Sequence, residues 1–199
     1  MVRPLSTSDA RRPIVVEAAI EAFARTGIRA TVADVASIAG ISPAYVLKLF
    51  PRKETLFAAA VDASFGRILD ILGAGARRAA DHSPDAIIAA MRRAYAHLLS
   101  SPDLLCLQTH AQSAADVPEI GSALRRGYAS VTEFVFSRSG APDASVQRFL
   151  AFTQLCQLIA TLGITEPTEH WTRVITHGFP LHPAETARPQ DDHEPRRLG

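Results

Sequence analysis

The chain has 199 residues, 47% of them hydrophobic, with a formal net charge of +1 and a mean hydropathy of +0.08. This composition supports one or two folded domains with a sizeable core, and it excludes both an acidic disordered chain and a basic coat protein. No run of apolar residues is long enough to span a membrane, and the polar start from Met1 to Arg12 carries no apolar signal core, so a soluble cytoplasmic protein with no membrane partner is expected.

Strand signals are nearly absent, since no two-residue alternation is sustained and no Asn-Gly or Asp-Gly turn occurs. Helical punctuation is abundant instead. The first predicted helix, 10–26, places Ile14, Ala18, Ala22 and Phe23 on one face and stops at Gly27. A short helix follows over 32–39, opened by Thr31 and Asp34 in capping-box spacing and closed by Gly40, where a left-handed backbone is needed. Ser42 and Pro43 open the next helix, 43–49, whose buried face is Val46 and Leu49, with Phe50 beyond.

Two short helices that cross steeply need a small residue at their approach, a glycine in the turn and apolar anchors on both sides. Ala36, Gly40, and the set Val35, Ala39, Ile41, Val46 and Leu49 meet each requirement, which reads as a helix-turn-helix. Beyond it, helices are predicted at 53–79, 84–100, 102–114, 118–139, 143–163 and 167–178, with Ser83-Pro84, Ser101-Pro102, Pro118 and Pro142 marking starts. The segment from Pro180 to Gly199 holds four prolines and many charges with little to bury, and is expected to be disordered. The class is therefore all-α, with about nine helices.

Charge is placed unevenly. From Met1 to Lys53 eight basic residues stand against four acids, a local excess of +4 that suits a polyanion. Cys106 and Cys156 lie in apolar helical stretches and read as small core residues, although one pair could in principle bridge. The histidines show no metal spacing, so no metal is expected. With no Gly-x-Ser-x-Gly, no paired carboxylates in an apolar stretch and no glycine-rich phosphate loop, no enzyme and no cofactor are expected either.

Taken together, AAIEAFARTGIRATVADVASIAGISPAYVLKLFPRKETLF, within residues 11 to 60, resembles the N-terminal DNA-binding domain of the TetR family of transcriptional regulators. The resemblance implies a helix-turn-helix domain over 10–52 and a ligand-sensing and dimerisation domain over 53–179, followed by the tail from 180. It also implies a homodimer, a palindromic double-stranded DNA operator, and a small-molecule effector that releases a repressor. A protein of the same fold that binds a ligand or a partner but not DNA is the alternative.

In this geometry the second short helix enters the major groove, which puts Ser42, Pro43, Ala44, Tyr45 and Lys48 nearest the DNA. Pro43 and Ala44 can offer apolar contacts such as with a thymine methyl, and Lys48 a guanine or phosphate contact. Tyr45 suits a base, a phosphate, or packing against the preceding helix. Thr31 and the amides after it, at a helix start, suit a phosphate. By the resemblance Lys53, in Phe-Pro-x-Lys-Glu, holds a phosphate too, with Arg29 and Arg52 as weaker candidates. The family often has tyrosine just before Lys48, where this chain has Leu47.

The sensor reading is carried by apolar helices with a few polar insertions. Met91, Tyr95, Leu104, Gln108, Gln112, Phe134, Phe149 and Thr153 are the expected lining of a pocket for an apolar or amphipathic effector. The 143–163 helix is apolar nearly all round, so it is expected to face the core on one side and, with the Trp171 helix, a partner subunit on the other. Ligand binding is expected to move the 84–100 helix against the long 53–79 helix, with Gly73 and Gly75 as possible hinge points.

Overall fold

A computed structural model describes the backbone of residues 7–181 and the side chains of residues 11–181. Among the described residues there are nine α-helices and no strand. They are α1 (Thr7–Thr26), α2 (Val32–Ala39), α3 (Pro43–Leu49), α4 (Lys53–Ala76), α5 (Pro84–Ala96), α6 (Asp103–Ser113), α7 (Pro118–Ser139), α8 (Asp143–Thr161) and α9 (His170–Ile175). Short 3-10 turns occupy Gly27–Arg29 and His97–Ser100. The expected disorder of the tail lies outside the described residues from 182 onward.

The punctuation works as its chemistry requires. The Thr31 hydroxyl accepts from the Asp34 backbone while the Asp34 carboxylate accepts from the Thr31 N–H, a reciprocal cap at the start of α2. Gly40 takes φ 66° and its N–H bonds back to Ala36 and Ser37. Ser42 and Ser83 cap α3 and α5 through the backbone N–H groups of Tyr45 and Ala86, each with proline in the first turn.

Two expected helices are shorter than predicted. The 84–100 segment is α-helical only to Ala96, then tightens into the 97–100 turn, because Ser101 precedes Pro102 and is pushed out of the helical region at φ −142°, ψ 81°. Ser101 therefore does not cap α6, which starts after Pro102 without a side-chain cap. The 167–178 segment keeps only the six residues of α9, started by Glu169 and Thr172 bonding each other's backbone.

The core is continuous across the whole fold. Phe23 of α1 stacks on Phe57 of α4 at 4.3 Å and 10°, which fixes the N-terminal helices to the long α4. Helix α4 packs in turn against α7 and α5. Both seams rely on glycine, since a Cβ on Gly127 would lie 2.0 Å from the Phe65 ring and one on Gly75 would lie 2.6 Å from Ala94. Gly75 is thus required by close helix approach. The expected hinge at Gly73 and Gly75 is not seen as a break, because α4 runs unbroken through both. Helix α6 packs against α1 and also against α8, so it touches both the N-terminal and the C-terminal helices. Both cysteines are free, and burial pushes the Cys156 thiol up to about 12.

Candidate nucleic-acid interface and sensor core

Helices α2 and α3 meet at 103°, so α3 projects from the N-terminal layer. Val46 and Leu49 are buried beneath it, against a core that includes Val35 and Ala36 of α2. The opposite face is open: Ser42, Pro43, Ala44, Leu47 and Lys48 are exposed together, and Tyr45 is half-buried against the core. Leu47 is 44% exposed, which places a large apolar side chain on that face beside Lys48. Thr31 is exposed at the start of α2. Bonds from the Thr31 backbone and hydroxyl hold the Asp34 carboxyl below the usual carboxylate range. With the folded pKa lowered, the cap's contribution to stability is complete above the ordinary carboxylate range and is lost as the pH falls through the lowered value.

The C-terminal end of α3 is clamped by a residue that sequence reading had not singled out. Arg12 of α1 donates to the Leu49 carbonyl at 2.7 Å and lies over the Phe50 ring at 4.6 Å. Lys53, expected at a phosphate, donates to the Ile28 carbonyl at 2.7 Å and so braces the turn between α1 and α2. Arg52 pairs with Glu119 of α7, whereas Arg29 is exposed.

Between α5, α6, α7 and α8 lies a polar cluster, buried at Tyr95, Gln108, Thr153 and Gln157 and reaching the surface at Gln112 and Gln154. Gln157 of α8 donates to the Gln108 side-chain oxygen on α6 at 2.7 Å and lies 3.4 Å from the Tyr95 hydroxyl of α5. Gln112 donates to the Gln157 oxygen at 2.8 Å and to the Tyr128 hydroxyl of α7 at 2.6 Å. Gln154 reaches the same hydroxyl at 2.9 Å. Thr153 is buried on α8, donating to the Leu150 carbonyl at 2.7 Å, and Phe149 meets the Tyr95 ring edge to face at 6.5 Å. Burial raises the Tyr95 pKa, so its hydroxyl stays neutral. Among the described residues no buried side-chain N or O lacks a partner.

Of the expected pocket residues, the fold therefore gathers Tyr95, Gln108, Gln112, Phe149 and Thr153. Leu104 faces elsewhere, lining a cleft against α1 with Ile14 and Ala18. Phe134 packs over Gly73 of α4, and Met91 is fully buried with its backbone against Gly75. Gln154, Gln157 and Tyr128 were missed, although glutamines on the otherwise apolar α8 carry the signal that selected Thr153.

Two further features bear on function. At the far side of α8 and on α9, Leu158, Leu162, Trp171 and Val174 are 47%, 51%, 49% and 59% exposed. The N-terminal helices are also tied to the rest by ion pairs, Arg67 of α4 with Glu17 of α1 and Arg52, just before α4, with Glu119 of α7, while Arg126 of α7 grips Asp62 of α4.

Residues 15–60 match the family model for bacterial regulatory proteins of the tetR family. No curated protein matches the chain significantly in sequence. Solved structures do match in fold. The fatty acid degradation regulator of Bacillus halodurans aligns with a TM-score of 0.60 at 16% identity, covering 87% of this chain and 93% of that one. A transcriptional regulator from Rhodococcus sp. Rha1 aligns at 0.60 and 21% identity over 78% and 84% of the two chains. A TetR family transcription regulator from Marinobacter aquaeolei VT8 aligns at 0.56 and 23% identity over 84% and 92%.

Proposed function

From a chain whose N-terminal domain is that of the tetR family of bacterial regulatory proteins, we propose a dimeric, sequence-specific DNA-binding transcriptional regulator released from its operator by a small molecule. The observation that carries this is the outward face of α3, where Ser42, Pro43, Ala44, Leu47 and Lys48 are exposed beside a half-buried Tyr45, while Val46 and Leu49 are buried in the core beneath. A helix set at 103° to its partner, with its outward face exposed, suits entry into a major groove. Pro43, Ala44 and Leu47 offer apolar contact to thymine methyls, and Lys48 offers a guanine or phosphate contact. Thr31 marks the start of α2, whose first free amides suit a phosphate, while its own hydroxyl is bonded to Asp34. Lys53 contributes charge to the same footprint while bracing the α1–α2 turn.

The exposed apolar residues of α8 and α9 support a two-fold interface in which these helices meet those of a second copy. Such a dimer presents two reading helices spaced for successive major grooves, and so prefers a palindrome. The units serving these tasks are the helix-turn-helix domain, 10–52, and the sensing and dimerisation domain, 53–179. The working compartment is the cytoplasm, and the sign of control is repression.

The Tyr95, Gln108, Gln112, Thr153 and Gln157 cluster is the effector-sensing core of this reading. Its groups come from α5, α6 and α8, so a guest that exchanges partners with them shifts α6, which also packs on α1. Coupling of this kind is reciprocal, typically about 1–3 kcal/mol, and DNA must weaken effector binding by the same factor.

The test is selection of duplexes from a random-sequence pool by the purified full-length protein at two salt concentrations. Enrichment of a palindrome supports the proposal. A folded, dimeric protein that enriches nothing favours the alternative, a partner- or ligand-binding protein without DNA binding.

A further inference from the structure

Away from the polar cluster, a separate cleft of about 520 Å³ opens between the outer face of α5, α8 and the segment after α9. Its volume lies within the range of roughly 300–1,000 Å³ that small-molecule sites occupy. The chemistry of the wall is one-sided. Arg92, Arg93 and His97 line it from the C-terminal half of α5 and the turn beyond, while Phe152 of α8 and Phe179 supply its apolar surface. No carboxylate lines the cleft among the described residues.

The arginines are also uncommitted. Arg25, Arg52, Arg67 and Arg126 each hold a carboxylate in an ion pair, but neither Arg92 nor Arg93 does among the described residues. Arg92 instead rests its guanidinium over the Phe152 ring at 4.3 Å, and Phe179 stacks on the same ring at 5.0 Å and 7°. A guanidinium resting over an aromatic ring can still turn its N–H groups to form a fork with an anion. The small side chain of Ala96 leaves room beside it.

We infer that this cleft is a binding site for an amphipathic monocarboxylate, its carboxylate held by Arg92 and Arg93 and its apolar body laid against Phe152 and Phe179. The site also has a path to the N-terminal helices. His97 lines the cleft, and the turn that it opens carries Leu98, which lines the groove against Ile14 and Ala18 of α1. A guest that draws His97 and Arg93 toward α8 therefore displaces a residue that lines the groove along α1. The effector role of this site rests on the regulator reading, whereas its occupancy does not.

Isothermal titration calorimetry on the full-length protein without DNA tests the occupancy directly. The probes are naphthoate and decanoate, one aromatic and one acyl, with naphthamide as the uncharged counterpart of the first. The expected result is that at least one carboxylate binds, that naphthamide does not, and that R92Q/R93Q weakens the carboxylate by at least about tenfold. Which probe binds more tightly identifies the body that the Phe152 and Phe179 pair accepts. Both arginines are exposed, and an unchanged melting temperature verifies that the variant is folded. Should the variant fail to fold, the comparison of naphthoate with naphthamide on the unaltered protein decides. Absence of binding by both carboxylates at millimolar concentration, or equal binding of acid and amide, overturns the inference, as does equal binding by the folded variant. None of these outcomes touches the DNA-binding proposal, which the duplex selection tests separately.

Discussion

The imidazole of His110 on α6 occupies the space that a Cβ on Gly27 would need. Such a Cβ would sit 2.8 Å from Nδ1 and 3.0 Å from Cγ, and Gly27 holds φ +60°, where side chains are disfavoured. The turn between α1 and α2 is therefore seated on α6 from one side and held by Lys53 of α4 through the Ile28 carbonyl from the other. One short turn registers the position of both α6 and the long α4 against α1 and α2.

Gly27→Ala is accordingly expected to destabilise the protein by about 1–3 kcal/mol, combining backbone strain with the His110 clash. Urea unfolding of G27A, H110A and the double variant separates the two contributions. The cycle should show a smaller penalty for G27A when His110 is already alanine, since the ring contacts are gone and only the strain at φ +60° and the 3.2 Å approach to the residue-110 Cβ remain. Additive penalties would mean that the imidazole yields without cost.

Lys48 and Lys53 should separate in their effects. Lys48 is exposed on the open face of α3, so Lys48→Ala is expected to leave the melting temperature unchanged and to lower the salt slope of DNA binding by about one. Lys53→Ala removes the bond to Ile28 as well, so it should lower both the melting temperature and DNA affinity. Thermal melts beside binding isotherms at several salt concentrations check the pair. A K53A protein with wild-type stability would contradict the bracing role.

The buried glutamines make an asymmetric prediction. In Gln157→Leu the buried Gln108 oxygen loses its 2.7 Å donor, so a loss of about 1–3 kcal/mol is expected in urea unfolding, whereas the exposed Gln112 amide keeps the Tyr128 hydroxyl. Adding Gln108→Leu removes one stranded group and should recover part of that loss. A double variant weaker than the sum of the singles would argue that the cluster is held by packing around it and not by its hydrogen bonds.

Leu158 and Trp171 test the proposed two-fold interface. Both are about half exposed in the single chain, so a change at either costs the monomer little. Leu158→Glu buries a charge only if a second copy covers it, and should weaken dimerisation at least about tenfold. Sedimentation velocity across a concentration series reads the shift, with circular dichroism verifying unchanged helix content. A monomeric wild-type protein would contradict the dimer, and a fully dimeric L158E would place the interface elsewhere.

Most of the helical frame was legible because its signals are local. The Thr31 and Asp34 cap, the left-handed Gly40 and the Ser-Pro starts of α3 and α5 each act within one turn of chain. Where two local signals competed, the reading slipped. Pro102 looked like a helix start but acted first on its predecessor, drawing the end of α5 into a 3-10 turn. Long-range roles were less accessible. Nothing near Gly75 or Gly127 reveals that Ala94 and Phe65 will lie against them, and nothing near Lys53 points to the Ile28 carbonyl. The polar cluster was half visible, since Gln108 and Gln112 stand out on α6, but pairing them with Gln157 needs the packing of α6 on α8.

The central claim is that two copies of α3 read one duplex in fixed register. Its most direct test is to take the palindrome enriched by selection and insert five base pairs between its half-sites, which turns one half-site by about half a helical turn. The account predicts that affinity for the altered duplex falls toward the non-specific level, and that a full-turn insertion does not simply reproduce that fall. Equal affinity for the original and half-turn duplexes at physiological salt would contradict it, because a rigid two-fold dimer cannot follow half-sites onto opposite faces of the DNA.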